Sequence, residues 1–277
     1  MDTLKVLIPT DFSVQAEYAY LMVRKLAEKI HVDIHFVHVM AVPDTVYLDK
    51  NGKIQTCGEI DKGYLEKQKE IAERKLENLK TLYGNDIQTQ LVLGKISDSI
   101  VQVADNMNVD LIVTGTKGKW GLEEKLSASE TQVLAQKSHV PLLSIRCDRS
   151  DLLIEHILLV HDFNSPKKEN LSLIHKIIRA FQAKVHFLQI VNGDVNEKRE
   201  ASENNMKEWA ALNNIEEYEC HMLNDKDIEA GIIHFDQIHK VDIVCIGTHG
   251  KGSFLHQTVT GKLINHLFKP IISFHLN

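Results

Sequence analysis

Lys5-Val6-Leu7-Ile8-Pro9-Thr10-Asp11-Phe12 is an apolar run that breaks on a polar turn, and its pattern returns 151 residues later as His156-Ile157-Leu158-Leu159-Val160-His161-Asp162-Phe163. A short apolar run closed by turn formers reads as a strand buried on both faces. The same offset carries His35-Phe36 onto His186-Phe187. Further on, Gly115-Thr116-Lys117-Gly118-Lys119 matches Gly247-Thr248-His249-Gly250-Lys251 at an offset of 132, and Pro141-Leu142-Leu143-Ser144 matches Pro270-Ile271-Ile272-Ser273 at 129. Ordered matches with a shrinking offset indicate two copies of one unit, the second shortened by deletions. Most of the lost length falls between the second and third strands. The join lies near 147–151, where Asp148, Arg149 and Ser150 form a polar stretch. The expected division is therefore 1–148 and 152–277, which suits a chain of 277 residues.

Each copy alternates strand and helix. After the first strand, Ala16, Ala19, Tyr20, Val23, Leu26, Ala27 and Ile30 recur at helical spacing and make one apolar face. Residues 34–40 read as a strand and 41–60 as a polar loop. Leu65, Ala72, Leu76, Leu79 and Tyr83 mark a long amphipathic helix that Gly84 ends. A strand over 87–93, a helix over 98–107, a strand over 109–115, a helix over 129–137 and a last strand over 141–145 complete the copy. The second half repeats the pattern, with strands near Ile157, Val185, Tyr218, Val241 and Ile271. Such alternation predicts an α/β fold: a parallel, doubly wound sheet with right-handed crossovers, present twice.

Composition narrows the function. Thirty-two Lys and Arg against 38 Asp and Glu give a net charge of −6, shared evenly by the halves, and a pI near 6.2. Neither half is a basic arm, so nucleic acid is not an expected partner. No apolar run approaches the ~20 residues of a membrane span. The first residues, Met1-Asp2-Thr3-Leu4-Lys5, do not read as a secretion signal. Cys57, Cys147, Cys220 and Cys245 form no CxxC pair, which fits reduced thiols in a cytoplasmic protein.

Ligands of an open parallel sheet bind beyond the carboxyl ends of its strands, where strand order reverses. Thr10 and Asp11 follow the first strand; Gly115 and Gly118 follow the fourth. Glycines there let a ligand approach the backbone, and the next helix, starting near Ala128-Ser129, offers free N–H groups to a phosphate. Asp11 could equally be a turn or helix-start residue, and the glycines ordinary turn glycines.

Taken together, these residues resemble the universal stress protein family. Its pattern is an Asp after the first strand and, after the fourth, G-x-x-G, nine residues, then G-[Ser/Thr]. Here Gly115-Thr116-Lys117-Gly118 is followed by nine residues and by Ala128-Ser129, and Pro141 opens the last strand. The chain is similar to tandem, two-domain members. The resemblance implies five-stranded sheets of order 3-2-1-4-5, of the adenine nucleotide alpha hydrolase kind, in a stress-response regulatory module. It also implies ATP, with or without Mg, as ligand. The adenine and ribose would lie on Pro9, Thr10, Asp11 and Val39, and the phosphates on Thr114, Gly115, Gly118, Ala128, Ser129 and Thr131. Ala128 stands where the family has a third glycine, and Glu123 and Glu124 sit in the loop with Lys117, Lys119 and Lys125.

The second copy departs further. Only six residues separate Gly250 from Gln257-Thr258, which occupy the Gly-Ser place. ATP is therefore expected in the first copy, and the second has a candidate pocket of its own: His161, Asp162, Gly247, His249, Gly250 and Thr258. Together with His256 these could suit zinc, but no HxxxH spacing supports it and zinc is not expected. His35 and His186 are expected as structural or surface residues. No P-loop, HxGH-type motif or nucleophile–base pair occurs, so enzymatic activity is expected to be slow ATP hydrolysis at most. The competing reading is a non-nucleotide binder or dimerisation scaffold carrying relic motifs. By family habit the last strands pair with each other inside the chain as a pseudo-dimer, and a further homodimer stays open.

Overall fold

The computed structural model describes residues 3–57, 60–116, 128–191, 193, 195–249, 263 and 267–276. The first strand, β1 (Leu4–Pro9), buries Leu4, Val6, Leu7 and Ile8 and exposes Lys5. Thus the central strand is covered on both faces. Helix α1 (Val14–Ala27) begins where Ser13 leaves the helical conformation and its Oγ accepts the Ala16 N–H at 3.3 Å. Asp61 caps α2 (Lys62–Tyr83) in the same way, its Oδ1 accepting the Tyr64 N–H at 3.0 Å, and Gly84 ends that helix.

In the first half β1 is joined by β2 (Val32–Ala41), β5 (Gln88–Gly94), β6 (Leu111–Gly115) and β7 (Leu142–Ile145), all parallel, in the order β7-β6-β1-β2-β5. Counted by their rank in this half, that is 3-2-1-4-5 read from the other edge. The second half repeats it with β8 (His156–Val160), β9 (Lys184–Val191), β10 (Tyr218–Asn224), β11 (Ile243–His249) and β12 (Ile271–Leu276). The doubly wound α/β fold is thus present twice. No helix among the described residues is long and apolar enough to cross a membrane.

One departure from the sequence reading falls in the polar loop. There β3 (Val46–Leu48) and β4 (Ile54–Thr56) pair as an antiparallel hairpin. Asp49 builds its turn, with Oδ1 accepting the Asn51 and Lys53 N–H groups at 2.8 and 3.0 Å. Val46 and Ile54 point inward onto Met40, Val42 and Leu65 as a small satellite core. Strands of three residues are too short to display an alternation, so the hairpin leaves almost no periodic trace.

The halves meet edge to edge. β7 and β12 run antiparallel, with Leu142 opposite Ser273, Leu143 opposite Ile272 and Ser144 opposite Ile271. The ten strands form one continuous sheet. On one face a single apolar core runs across the junction, from Leu4, Tyr20 and Phe36 through Leu143 and Ile272 to Ile157, Phe187 and Trp209. On the other face the cores are separate. One packs α3 (Ile96–Met107) and α4 (Ala128–Lys137) on the first half, and the other packs α7 (Ile228–His239) on the second. The shared face is completed in the second half by α5 (Ser172–Phe181) and α6 (Val195–Leu212). All four thiols are free, and burial pushes that of Cys245 up to about 12.

Candidate functional site

Strand order in the first half reverses between β1 and β6, which pair with Val6 opposite Leu111 and Leu7 opposite Ile112. Beyond that pair β6 runs on to Thr114 and Gly115, while β1 ends at Pro9 and leads into Thr10. The turn leaving β1 is tightly specified. Thr10 is buried; its N–H donates to the Val37 carbonyl at 2.8 Å and its Oγ1 accepts the Phe12 N–H at 3.0 Å. His38 on β2 donates from Nδ1 to the Thr10 carbonyl at 2.7 Å, so that nitrogen carries a proton. These bonds hold Phe12 at a φ of +65°, a conformation that a large residue keeps only when its surroundings impose it. The Phe12 ring lies 4.6 Å from that of His38, and Lys75 Nζ stands 5.0 Å from its centroid.

Asp11 is aimed by this turn. Its Oδ1 accepts the Ser13 N–H at 3.1 Å, while Oδ2 has no protein partner among the described residues. The residue borders two spaces. One is a narrow slot between β1, β2 and α3, lined by Pro9, Thr10, Val39, Ile96 and Ile100. The other is an open cleft of about 460 Å³ against α2, where Tyr64, Gln68, Ile71 and Lys75 face His38 and Asp11. A cleft of that size falls in the range that small ligands occupy. The structure therefore brings Pro9, Thr10, Asp11 and Val39 together around one slot.

Of the residues expected to meet phosphates, Thr114 is fully buried and its Oγ1 donates to the Gly115 carbonyl at 3.3 Å. Gly115 has a packing reason for its identity: a Cβ there would lie 1.8 Å from the Gln15 carbonyl oxygen of α1. Gly118 lies outside the described residues, as do the loop residues Lys117, Trp120, Glu123, Glu124 and Lys125. Ala128 and Ser129 open α4, and Thr131 sits in its first turn, fully buried, with an Oγ1 that has no partner among the described residues. Leaving a buried hydroxyl unsatisfied costs on the order of 1–3 kcal/mol, which a ligand oxygen or a water would recover.

The second half keeps the turn but changes its chemistry. Phe163 stands at φ +53°, and its N–H donates to His161 Nδ1 at 2.8 Å, the place the Thr10 hydroxyl takes in the first half. His161 is buried, its ring 5.0 Å from Phe163 and 5.6 Å from Trp209, and so it anchors backbone and core. Asp162 borders a cleft of about 350 Å³ with Asn164, Gln189, Ser202 and Asn205. Gly247 pairs with Phe274 inside the sheet, and His249 ends β11. Gly250, His256, Gln257 and Thr258 lie outside the described residues.

The sequence reading passed over His38 and the α2 wall of the cleft. Tyr64, Gln68, Ile71 and Lys75 are spaced by four, three and four residues, one helical stripe. That stripe is chemically mixed, so an apolar periodicity search does not pick it out.

The fold has counterparts among known proteins. The model of the universal stress protein family matches residues 3–146. Two universal stress proteins of Methanocaldococcus jannaschii are similar in sequence. One is 28% identical over 142 residues, covering 51% of this chain and 81% of that protein. The other is 29% identical over 152 residues, covering 51% and 94%. A crystal structure of a universal stress protein from Archaeoglobus fulgidus superposes over 98% of both chains with a TM-score of 0.71 at 17% identity, a likeness of fold.

Proposed function

Because the chain belongs to the universal stress protein family, we propose that its first half binds an adenine nucleotide, ATP above all, and acts as a stress-response regulatory unit. The observation that carries this reading is the Asp11 carboxylate. One oxygen is spent on the turn, the other has no partner among the described residues, and the residue lines a slot walled by Pro9, Thr10 and Val39. In this assignment the base lies against Pro9 and Val39 at the mouth of the slot, and Asp11 Oδ2 accepts a ribose hydroxyl. The phosphates then run past Thr114 and Gly115 toward the first turn of α4, where backbone N–H groups and the orphan Thr131 hydroxyl would meet them. A Mg ion would enter on the phosphate oxygens rather than in a protein cage.

The reading extends to the whole chain. Units 1–148 and 152–277 are two copies of one module acting in the cytoplasm, and the first holds the nucleotide. We assign binding, with slow ATP hydrolysis at most: the ribose would take Asp11 Oδ2, and His38 Nδ1 is held by the Thr10 carbonyl. The second copy is assigned no ATP, because only six residues separate Gly250 from Gln257-Thr258 and a glutamine stands at the Gly place of the pattern.

Calorimetry with ATP and Mg is expected to give one nucleotide per chain. Asp11→Ala should weaken it tenfold or more, since a charge-assisted hydrogen bond contributes about 1.5–3 kcal/mol. Protein purified without added nucleotide, then denatured, should release adenine nucleotide detectable by mass spectrometry. No released nucleotide together with no ATP-dependent rise in Tm would sink the assignment, and an unchanged affinity in Asp11→Ala would sink the pocket.

A further inference from the structure

At the end of the second half-sheet opposite its cleft, five side chains from four elements converge. His156 opens β8, His186 lies near the start of β9, Glu219 and His221 are on β10, and His239 closes α7. Parallel pairing sets Glu219 directly opposite His186 and Leu158 opposite His186 on the other side. His221 and His156 therefore fall two residues along their strands, on the same face. That register explains why residues so far apart in sequence share one spot. His186 is nearly buried, and Phe235 of α7 packs against His186, His221 and His239, with ring centroids 6.0, 4.8 and 4.1 Å away.

The donor atoms form a small triangle. His186 Nδ1 lies 3.1 Å from His221 Nε2 and 3.3 Å from Glu219 Oε2, and the last two are 3.6 Å apart. A tetrahedral zinc ion with bonds of about 2.0–2.1 Å has ligand-to-ligand edges of roughly 3.3–3.4 Å. The triangle is thus one face of such a tetrahedron before any ion is added. We propose that His186 Nδ1, His221 Nε2 and Glu219 Oε2 bind a divalent transition metal, zinc being the ion that this donor set and spacing fit.

The surroundings serve the same end. His186 Nε2 lies 3.0 Å from His156 Nδ1; a proton on Nε2, donated to His156, leaves the Nδ1 lone pair for the metal. His156 is then a positioning residue. Lys184 Nζ holds the other oxygen of Glu219, Oε1, at 2.5 Å, which fixes the carboxylate with Oε2 toward the triangle. The fourth corner falls to water or to His239, whose ring centroid is 4.8 Å from that of His221. Since β10 is the outermost strand of its half, the ion would clip the sheet's free edge to β9. Glu219-Cys220-His221 puts two donors on one strand face at a spacing of two, a signal that a search for helical HxxxH spacing misses.

The test uses the full chain stripped with a chelator. Zinc titrated by calorimetry is expected to bind once per chain at micromolar affinity or better and to raise Tm. Cobalt(II) in its place should show the strong visible bands of tetrahedral coordination, lost when zinc is added. Glu219→Gln and His221→Ala should each weaken zinc at least tenfold, with Glu219→Gln keeping the metal-free Tm of the parent. His156→Leu should weaken it ten- to a hundredfold without removing a ligand. Absence of saturable zinc binding, or binding that both ligand variants leave unchanged, overturns the proposal; nucleotide binding is read separately and is not expected to move.

Discussion

Gly115→Ala is expected to destabilise this protein by about 3 kcal/mol or more and to lower its Tm by on the order of 6–12 °C. The added methyl would fall 1.8 Å from the Gln15 carbonyl oxygen, 2.2 Å from its carbon and 2.9 Å from its Cα. All three atoms are backbone in the first turn of α1, so no side chain can swing aside. Relief requires lifting α1 from β6, which would loosen the packing of Ala19 and Val23 on the shared core. Thermal denaturation of the variant checks this; a Tm within 2 °C of the parent would refute it. The result matters for function too. A glycine after the fourth strand reads from sequence as a phosphate-loop residue, yet its absent Cβ is required by helix-on-sheet packing alone. Lost nucleotide binding in Gly115→Ala would therefore say little about the phosphates, and Asp11 is the better probe.

Trp209→Ala should be as damaging, at about 3–5 kcal/mol, as expected of a large aromatic removed from a core. Trp209 is fully buried on α6 and meets Phe163 and Phe187 edge to face, with centroids 5.5 and 5.4 Å away. It also backs His161, whose Nδ1 holds the positive-φ turn at Phe163. Truncation removes the floor under that turn. Trp209→Phe is expected to cost less than about 1.5 kcal/mol, because the indole Nε1 has no partner among the described residues and its loss relieves an unpaired polar group. Chemical denaturation midpoints separate the two; equal losses for Ala and Phe would contradict the packing account.

How far the sequence could be read follows from what each feature depends on. Apolar runs such as Val6-Leu7-Ile8 and Ile157-Leu158-Leu159 mark buried central strands on their own, and their recurrence shows the duplication. The strand order came from the family resemblance, and the sheet carries it. The Asp11 turn was legible as a place but not as a geometry: only coordinates show that Oδ1 is spent on Ser13 and Oδ2 is not. His161 looked like pocket lining because it follows a strand, yet its burial under Trp209 depends on α6, which no local pattern reveals. The His186, Glu219 and His221 triangle arises from sheet register across β9 and β10, information that lives between segments rather than within them.

The antiparallel seam between β7 and β12 has a consequence for mass action. Two separate chains that met along such an edge would come apart on dilution, and their melting point would track concentration. Here the two halves are tethered through residues 146–155, so each meets the other at the effective concentration of a short linker, which is millimolar for a flexible one. With one apolar core crossing the seam, the chain should melt in a single transition whose midpoint stays constant over a hundredfold change in protein concentration. Pairing of β7 with β12 within one chain also frees the two copies from having to be identical. One copy can keep its turn with a threonine and the other with a histidine, with neither change imposed on both sides of the seam.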